Sequence, residues 1–309
     1  MALRPALVVL RALGLGDLLT AVPALRALAA VTPEPRLLLA PRALAPLAEP
    51  LGYEVLDVHG VREVPAALPA RAAGAALAVN LHGRGPQSHR ALLALAPQRL
   101  VAFAAEGHDG PAWRAGEHEV ARWCRLLRAS GFDADPTALG IEPPPVRAPE
   151  GAAGATLVHP GAASAARRWP AERWVEVVAA EACAGHRVVV TGGAGERDLA
   201  LWIAERTGLG DDAVLAGRTD VATLAAAVAV AARVVCGDTG VAHLATALGT
   251  PSVVLFGPTS PAEWGPPAGS ALHRVLWAGR TGDPHGGAPD PGLLEIGVDD
   301  VLGALALSR

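Results

Sequence analysis

The chain has 309 residues, a formal charge of −4 and 51% hydrophobic residues, which predicts about two domains with enough apolar material for real cores. Aromatic residues make up only 4%, and this with the acidic balance excludes a dedicated nucleic-acid binder. All 26 basic residues are arginine, the mark of a GC-rich coding bias, so a single arginine carries less functional weight than usual.

The apolar stretch at the start is interrupted by Arg4, Arg11 and Asp17, and it predicts a buried strand and a helix rather than a signal peptide. Ala6–Leu10 is the strand, a continuous apolar run of the kind buried on both faces. Gly14-Leu15-Gly16 turns the chain, and Leu18, Val22, Leu25 and Ala29 follow at helical spacing, with a kink or irregular first turns expected from Pro23. Leu37–Leu39 and Leu77–Leu81 read as further strands, and Glu117–Ser130 as a helix. Between Asp135 and Gly154 the periodicity fails among five prolines, which places a domain boundary near residue 150.

The second half repeats the pattern. Strands are expected at Thr156–Val158, Arg187–Val190, Val214–Leu215, Val234–Cys236 and Ser252–Phe256. Helices are expected at Ala171–Cys183, Glu196–Arg206, from an Asp220 N-cap to Ala232, and from Gly240 to a stop at Gly249 and Pro251. Such alternation predicts an α/β protein with two doubly wound parallel sheets facing a cleft, their ligands beyond the carboxyl ends of the strands. Val221–Ala232, the longest charge-free apolar run, is too short for a membrane span of ~20 residues. The expected location is the cytoplasm, with at most transient contact at the inner face of the membrane. Cys124, Cys183 and Cys236 are expected to be reduced, buried thiols.

The turns after the strands carry the candidate chemistry. Gly14-Leu15-Gly16-Asp17 departs from a dinucleotide fingerprint, because Leu19 stands where G-x-G-x-x-G needs glycine and Asp17 places a carboxylate where a pyrophosphate would lie. Asp17 is either a helix cap or a general base. Gly237-Asp238-Thr239-Gly240 opens a helix with small residues and a hydroxyl, suited to phosphate oxygens. His243, four residues after Thr239, is either a core histidine or a donor contact. His159–Pro170 is a loop of small residues with Arg167 and Arg168, a surface pair or a clamp on a diphosphate. Glu196, after Thr191-Gly192-Gly193, either caps a helix or accepts ribose hydroxyls. Histidines and cysteines show no paired ligand spacing, so no metal is expected.

Together these turns resemble glycosyltransferase family 9, the ADP-heptose:lipopolysaccharide heptosyltransferases and their relatives. The resemblance rests on Leu13–Asp17 with Pro23-Ala24-Leu25, His159-Pro160-Gly161 with Arg168-Trp169-Pro170 and Trp174, and Gly237–Leu244 continuing through Gly249-Thr250-Pro251 to Phe256–Thr259. It implies a GT-B architecture: an acceptor-binding domain over residues 1–150, a donor-binding domain over 151–295, and a last helix near Asp299–Leu307 returning to the first domain. It also implies inverting, metal-independent transfer from a nucleotide sugar, an ADP-heptose above all, with no cofactor. By position, Asp17 would take the proton of the acceptor hydroxyl. Arg167, where the family often has lysine, would hold the diphosphate with Thr239 and Gly240. Glu196 would meet the ribose, Thr219 the adenine, and Asp238 and His243 the donor's sugar or phosphates. Gly16 and Arg84 are the acceptor candidates. Arg84, Arg90 and Arg99 are too dispersed to form a basic cluster for a phosphorylated lipid core, so another glycan or a small molecule is an equal acceptor reading. A sugar-nucleotide epimerase, a non-catalytic nucleotide-binding scaffold and an NAD-dependent oxidoreductase are the competing functions. The first lacks an identifiable second acid/base pair, and the last lacks its fingerprint.

Overall fold

Leu7–Leu10, fully buried, forms the central strand β1 of the first of two units. The computed structural model describes residues 5–60 and 68–307; Arg4 lies outside them. Contacts divide the chain into Met1–Leu139 and Gly140–Arg309. The division falls earlier than the proline-rich stretch suggests, because Ile141 already donates its N–H to the Ala247 carbonyl in the second unit, at 2.9 Å.

In the first unit, β1 pairs in parallel with β2 (Arg36–Ala40) and β4 (Leu77–Asn80), with β3 (Glu54–Asp57) beyond β2 and the two-residue β5 (Leu100–Val101) beyond β4. The order β3-β2-β1-β4-β5 reverses direction between β1 and β4, so the crevice where ligands collect lies after Leu10 and Asn80. Pro23 does not kink one helix. Instead, helix Leu15–Thr20 ends at Ala21 and a second helix, Val22–Val31, begins with the proline in its first turn, where the missing N–H is harmless. Helix Glu119–Ala129 buries Trp123, Leu126 and Leu127.

The second unit contains β6 (Thr156–His159), β7 (Val188–Val190), β8 (Arg233–Gly237), β9 (Ser252–Phe256) and β10 (His273–Trp277), all parallel, in the order β10-β9-β8-β6-β7. The expected strand at Val214–Leu215 contracts to one parallel bridge between Val190 and Val214, which continues the sheet past β7. Direction reverses between β6 and β8, so the corresponding crevice follows His159 and Gly237. Trp169 and Trp174 pack edge to face with ring centroids 5.0 Å apart, in a core with Val177 and Val178 of helix Ala171–Cys183, Ile203 of helix Arg197–Thr207, and Val158, Val190, Val235 and Leu255 of the strands.

The last helix, Val298–Ala306, contributes to the second unit. Its Val301, Ala304 and Leu305 belong to the second unit's core, where it packs on helix Ala171–Cys183, β9 and β10. The Leu305 carbonyl accepts from buried Arg233 at 3.1 Å, and the Ile296 carbonyl from the Trp169 indole at 3.0 Å. The cysteine expectation is corrected: Cys124 and Cys236 are buried, but Cys183, at the end of its helix, is exposed. Among the described residues, no helix is long and apolar enough to cross a membrane.

Candidate active site

In the second unit, two loops converge at the β6/β8 reversal. The loop after β6 makes a single 3-10 turn, Ala165–Arg167, and sends the Arg167 guanidinium to the loop after β8, where Nη1 donates to the Asp238 carbonyl at 3.1 Å and lies 3.9 Å from Asp238 Oδ2. Arg168 turns the other way, its Nε bonded to the Ala162 carbonyl at 2.9 Å, so Arg167 is the arginine that reaches the helix start. Gly237 makes the approach possible, since a Cβ there would sit 3.2 Å from the Arg167 carbonyl oxygen. Asp238 is buried. Burial pushes its carboxyl above the ordinary range, and the Arg167 charge and the Thr259 hydroxyl oppose that rise.

Thr239 is the N-cap of helix Gly240–Leu248. Its hydroxyl is buried against the Cys236 thiol and has no oxygen or nitrogen partner, although a buried hydroxyl ordinarily finds one. A hydroxyl, the start of a helix and a guanidinium thus sit together, the combination that suits phosphate oxygens. His243, one turn into that helix, packs edge to face on Trp264 with centroids 5.9 Å apart.

A second group forms after β6 and β7. Glu196 Oε2 accepts from the Gly193 N–H at 2.7 Å and lies 3.9 Å from His159 Nε2, while His159 Nδ1 meets the Thr191 hydroxyl at 3.1 Å. Burial lowers the His159 pKa, and the Glu196 carboxylate opposes the shift. Gly161 leaves room for the Glu196 carboxylate, which would have to move aside for a Cβ placed 2.0 Å from it. Thr219 is half-buried in the segment beyond the Val214 bridge, at the same end of the sheet.

In the first unit, Asp17 sits at the β1/β4 crevice, in the first turn of helix Leu15–Thr20. Gly14, not Asp17, is the N-cap; Asp17 Oδ2 reaches back to the Gly14 N–H at 3.2 Å, as Glu196 does to Gly193. Its side chain keeps 28% exposure over Arg11, whose side chain is 1% exposed. Gly16 lies in the same helix. Arg84, after β4, is exposed and makes no cluster with Arg90, paired to Glu106, or Arg99, bonded to the Ser130 carbonyl. His82, also after β4, has an Nδ1 atom that is buried and unpartnered. Burial first, then Arg11, lowers its pKa to about 4, with Asp17 and the Gly60 backbone opposing.

Sequence reasoning passed over Arg11, read only as an interruption of an apolar run, and Glu119, hidden in a helix. His159 and Thr259 stand in the family motifs, but their sequence context gives them no role of their own. Position offers the one usable signal: Arg11 and His82 both follow the central strands directly, where a doubly wound sheet places its ligands.

A model of glycosyltransferase family 9 (heptosyltransferase) matches residues 99–283, more than half of the chain. The chain belongs to glycosyltransferase family 9. It is therefore a glycosyltransferase, and its two parallel five-stranded units are those of the GT-B class. A family 9 glycosyl transferase from Veillonella parvula DSM 2008 superposes with a TM-score of 0.78 at 21% identity, covering 100% of this chain and 98% of that one. The E. coli ADP-heptose lps heptosyltransferase II gives 0.72 at 20% identity, with 98% of each chain covered. A dodecameric glycosyltransferase from enterotoxigenic E. coli, described as iron-containing, gives 0.63 at 16%, with 98% of this chain and 75% of that one covered. No curated protein matches the sequence. The family match includes both groups of the second unit but not Asp17, which precedes it.

Proposed function

We propose that this family 9 enzyme is an inverting, metal-independent glycosyltransferase that moves heptose from ADP-heptose to a hydroxyl of a glycan, lipopolysaccharide-like or small-molecule acceptor. The observation that carries the reading is the Arg167 guanidinium aimed at the loop that opens helix Gly240–Leu248, with Nη1 3.1 Å from the Asp238 carbonyl. Displacement at the anomeric carbon puts negative charge on the leaving diphosphate. Arg167, Thr239 and the first N–H groups of helix Gly240–Leu248 would stabilise it where other enzymes use a divalent ion. Asp238 and His243 would lie toward the sugar and phosphates, Glu196 toward the ribose and Thr219 toward the adenine. Asp17 would take the acceptor proton as the new bond forms, beside Gly16 and Arg84. The donor assignment draws on the E. coli relative that is named for ADP-heptose. A cytoplasmic site of action, with transient contact at the membrane surface, belongs to the same proposal.

Among the described residues, no group of three or more His, Cys, Asp or Glu side chains is placed to hold a metal ion. The test is proton NMR of ADP-heptose turnover with and without EDTA. The expected product has the anomeric configuration opposite to the donor's and forms at an unchanged rate. A retained configuration contradicts the single displacement, and strong inhibition by EDTA contradicts metal independence.

A further inference from the structure

Beneath Asp17 lies a charge cluster that the proposed reaction does not yet use. Arg11, the residue after β1, is buried, and its guanidinium is bonded on every side. Nε donates to the Asp17 backbone carbonyl at 2.9 Å and Nη1 to the Leu81 carbonyl at 2.5 Å. Nη2 donates to the Thr20 hydroxyl at 3.2 Å and to Glu119 Oε1 at 3.1 Å, while the Asp17 carboxylate stands further off at 3.4 Å. Glu119 Oε1 also accepts from the Trp123 indole at 3.0 Å, and Oε2 pairs closely with Arg122. The two guanidiniums lie over aromatic rings, Arg11 at 4.8 Å from the Trp123 centroid and Arg122 at 4.2 Å from that of Trp113.

Two cations and two carboxylates therefore balance in a mostly buried cluster. A buried arginine with only Asp17 as its counter-ion would pair with that carboxylate fully and hold it against protonation. Here the second carboxylate takes the closer bond. We infer that Glu119 is a positioning residue for Asp17: acting through Arg11, it lets the guanidinium orient the Asp17 backbone and carboxylate without consuming the charge that receives the acceptor proton. This rests on Asp17 being the acceptor-side base. The other groups nearby are the same in every variant compared. Burial lowers the His82 pKa to about 4, and each titration is read as a difference from the wild type, which keeps this histidine. Arg125 and Glu117 close on each other through two bonds of 2.7 Å.

The two members of the Arg11–Glu119 pair consequently act on Asp17 with opposite sign. Glu119→Gln removes a negative charge, leaves Arg11 to Asp17 and favours the carboxylate. Arg11→Gln removes the cation and favours the protonated form, while Glu119 keeps Arg122 and Trp123. The measurement is the 13C titration of the Asp17 carboxyl, assigned by its loss in Asp17→Asn. The midpoint is expected to fall by about one pH unit in Glu119→Gln and to rise by about one in Arg11→Gln. If Glu119→Gln does not fold, Glu119→Gln with Arg122→Gln removes the anion together with the cation it would strand, and the same fall is expected. The acid limb of the pH profile for ADP release from ADP-heptose, with water as acceptor, should follow these midpoints. A purely structural pair would leave both midpoints in place or move them the same way, and either result overturns the inference. Asp17→Asn that still releases ADP at the wild-type rate removes Asp17 from its role instead, whatever the titrations show.

Discussion

Replacing Asp17 by Asn is expected to reduce transfer by about 10²- to 10⁴-fold, the range a positioned general base supplies, with donor affinity unchanged. The substitution is nearly isosteric. The amide oxygen can still accept from the Gly14 N–H, and the Arg11 Nε bond goes to the backbone carbonyl, which the change leaves alone. What disappears is the proton acceptor, together with the carboxylate charge that Arg11 Nη2 meets at 3.4 Å. A loss of kcat with intact donor binding, measured by ADP release and by calorimetry, is the predicted split. Transfer at the wild-type rate would remove Asp17 from the reaction.

Arg167→Ala is expected to weaken binding of free ADP by about 10- to 100-fold, the worth of a charge-assisted contact of ~1.5–3 kcal/mol. It should also slow transfer, because charge on the diphosphate grows as the glycosidic bond breaks. The free protein already positions this guanidinium, with Nη1 on the Asp238 carbonyl and 3.9 Å from its carboxylate. Removing it also leaves buried Asp238 without its cation, so thermal unfolding should be measured alongside affinity. Arg168→Ala is the control: that side chain ties the loop to the Ala162 carbonyl, and ADP affinity should barely change. Equal losses in both variants would mean that the loop's shape, rather than the Arg167 charge, holds the diphosphate.

The sequence revealed those elements whose burial is complete. β1 is buried along its whole length and is an unbroken apolar run, and β6, β8 and β9, equally buried, each hold a shorter one: Leu157-Val158, Val234–Cys236 and Val253–Phe256. β10 was illegible because it is half-exposed, with Arg274 and Val275 facing solvent. β5 has only two residues, too few for any periodicity. The partners of the last helix, the Arg233 guanidinium and the core around Trp174, are fixed by tertiary contacts that no local pattern records.

The candidate site divides in the same way. Gly237–Gly240 announced itself, because small residues and a hydroxyl at a helix start have a recognisable local chemistry. The choice of Arg167 over Arg168 could not be read from adjacent identical residues; it depends on a 3-10 turn that aims them apart. Arg11 and Glu119 are 108 positions apart, and neither stands in a motif. Only folding makes them neighbours, and only burial gives their charges weight.

Calorimetric titration of the wild-type protein with ADP-, GDP- and UDP-sugars is the most direct test of a donor site built on Arg167, Thr239 and Glu196. Saturable binding of an ADP-sugar, stronger than that of the GDP and UDP counterparts and weakened in Arg167→Ala, is the predicted result. Absence of binding by every sugar nucleotide would contradict it.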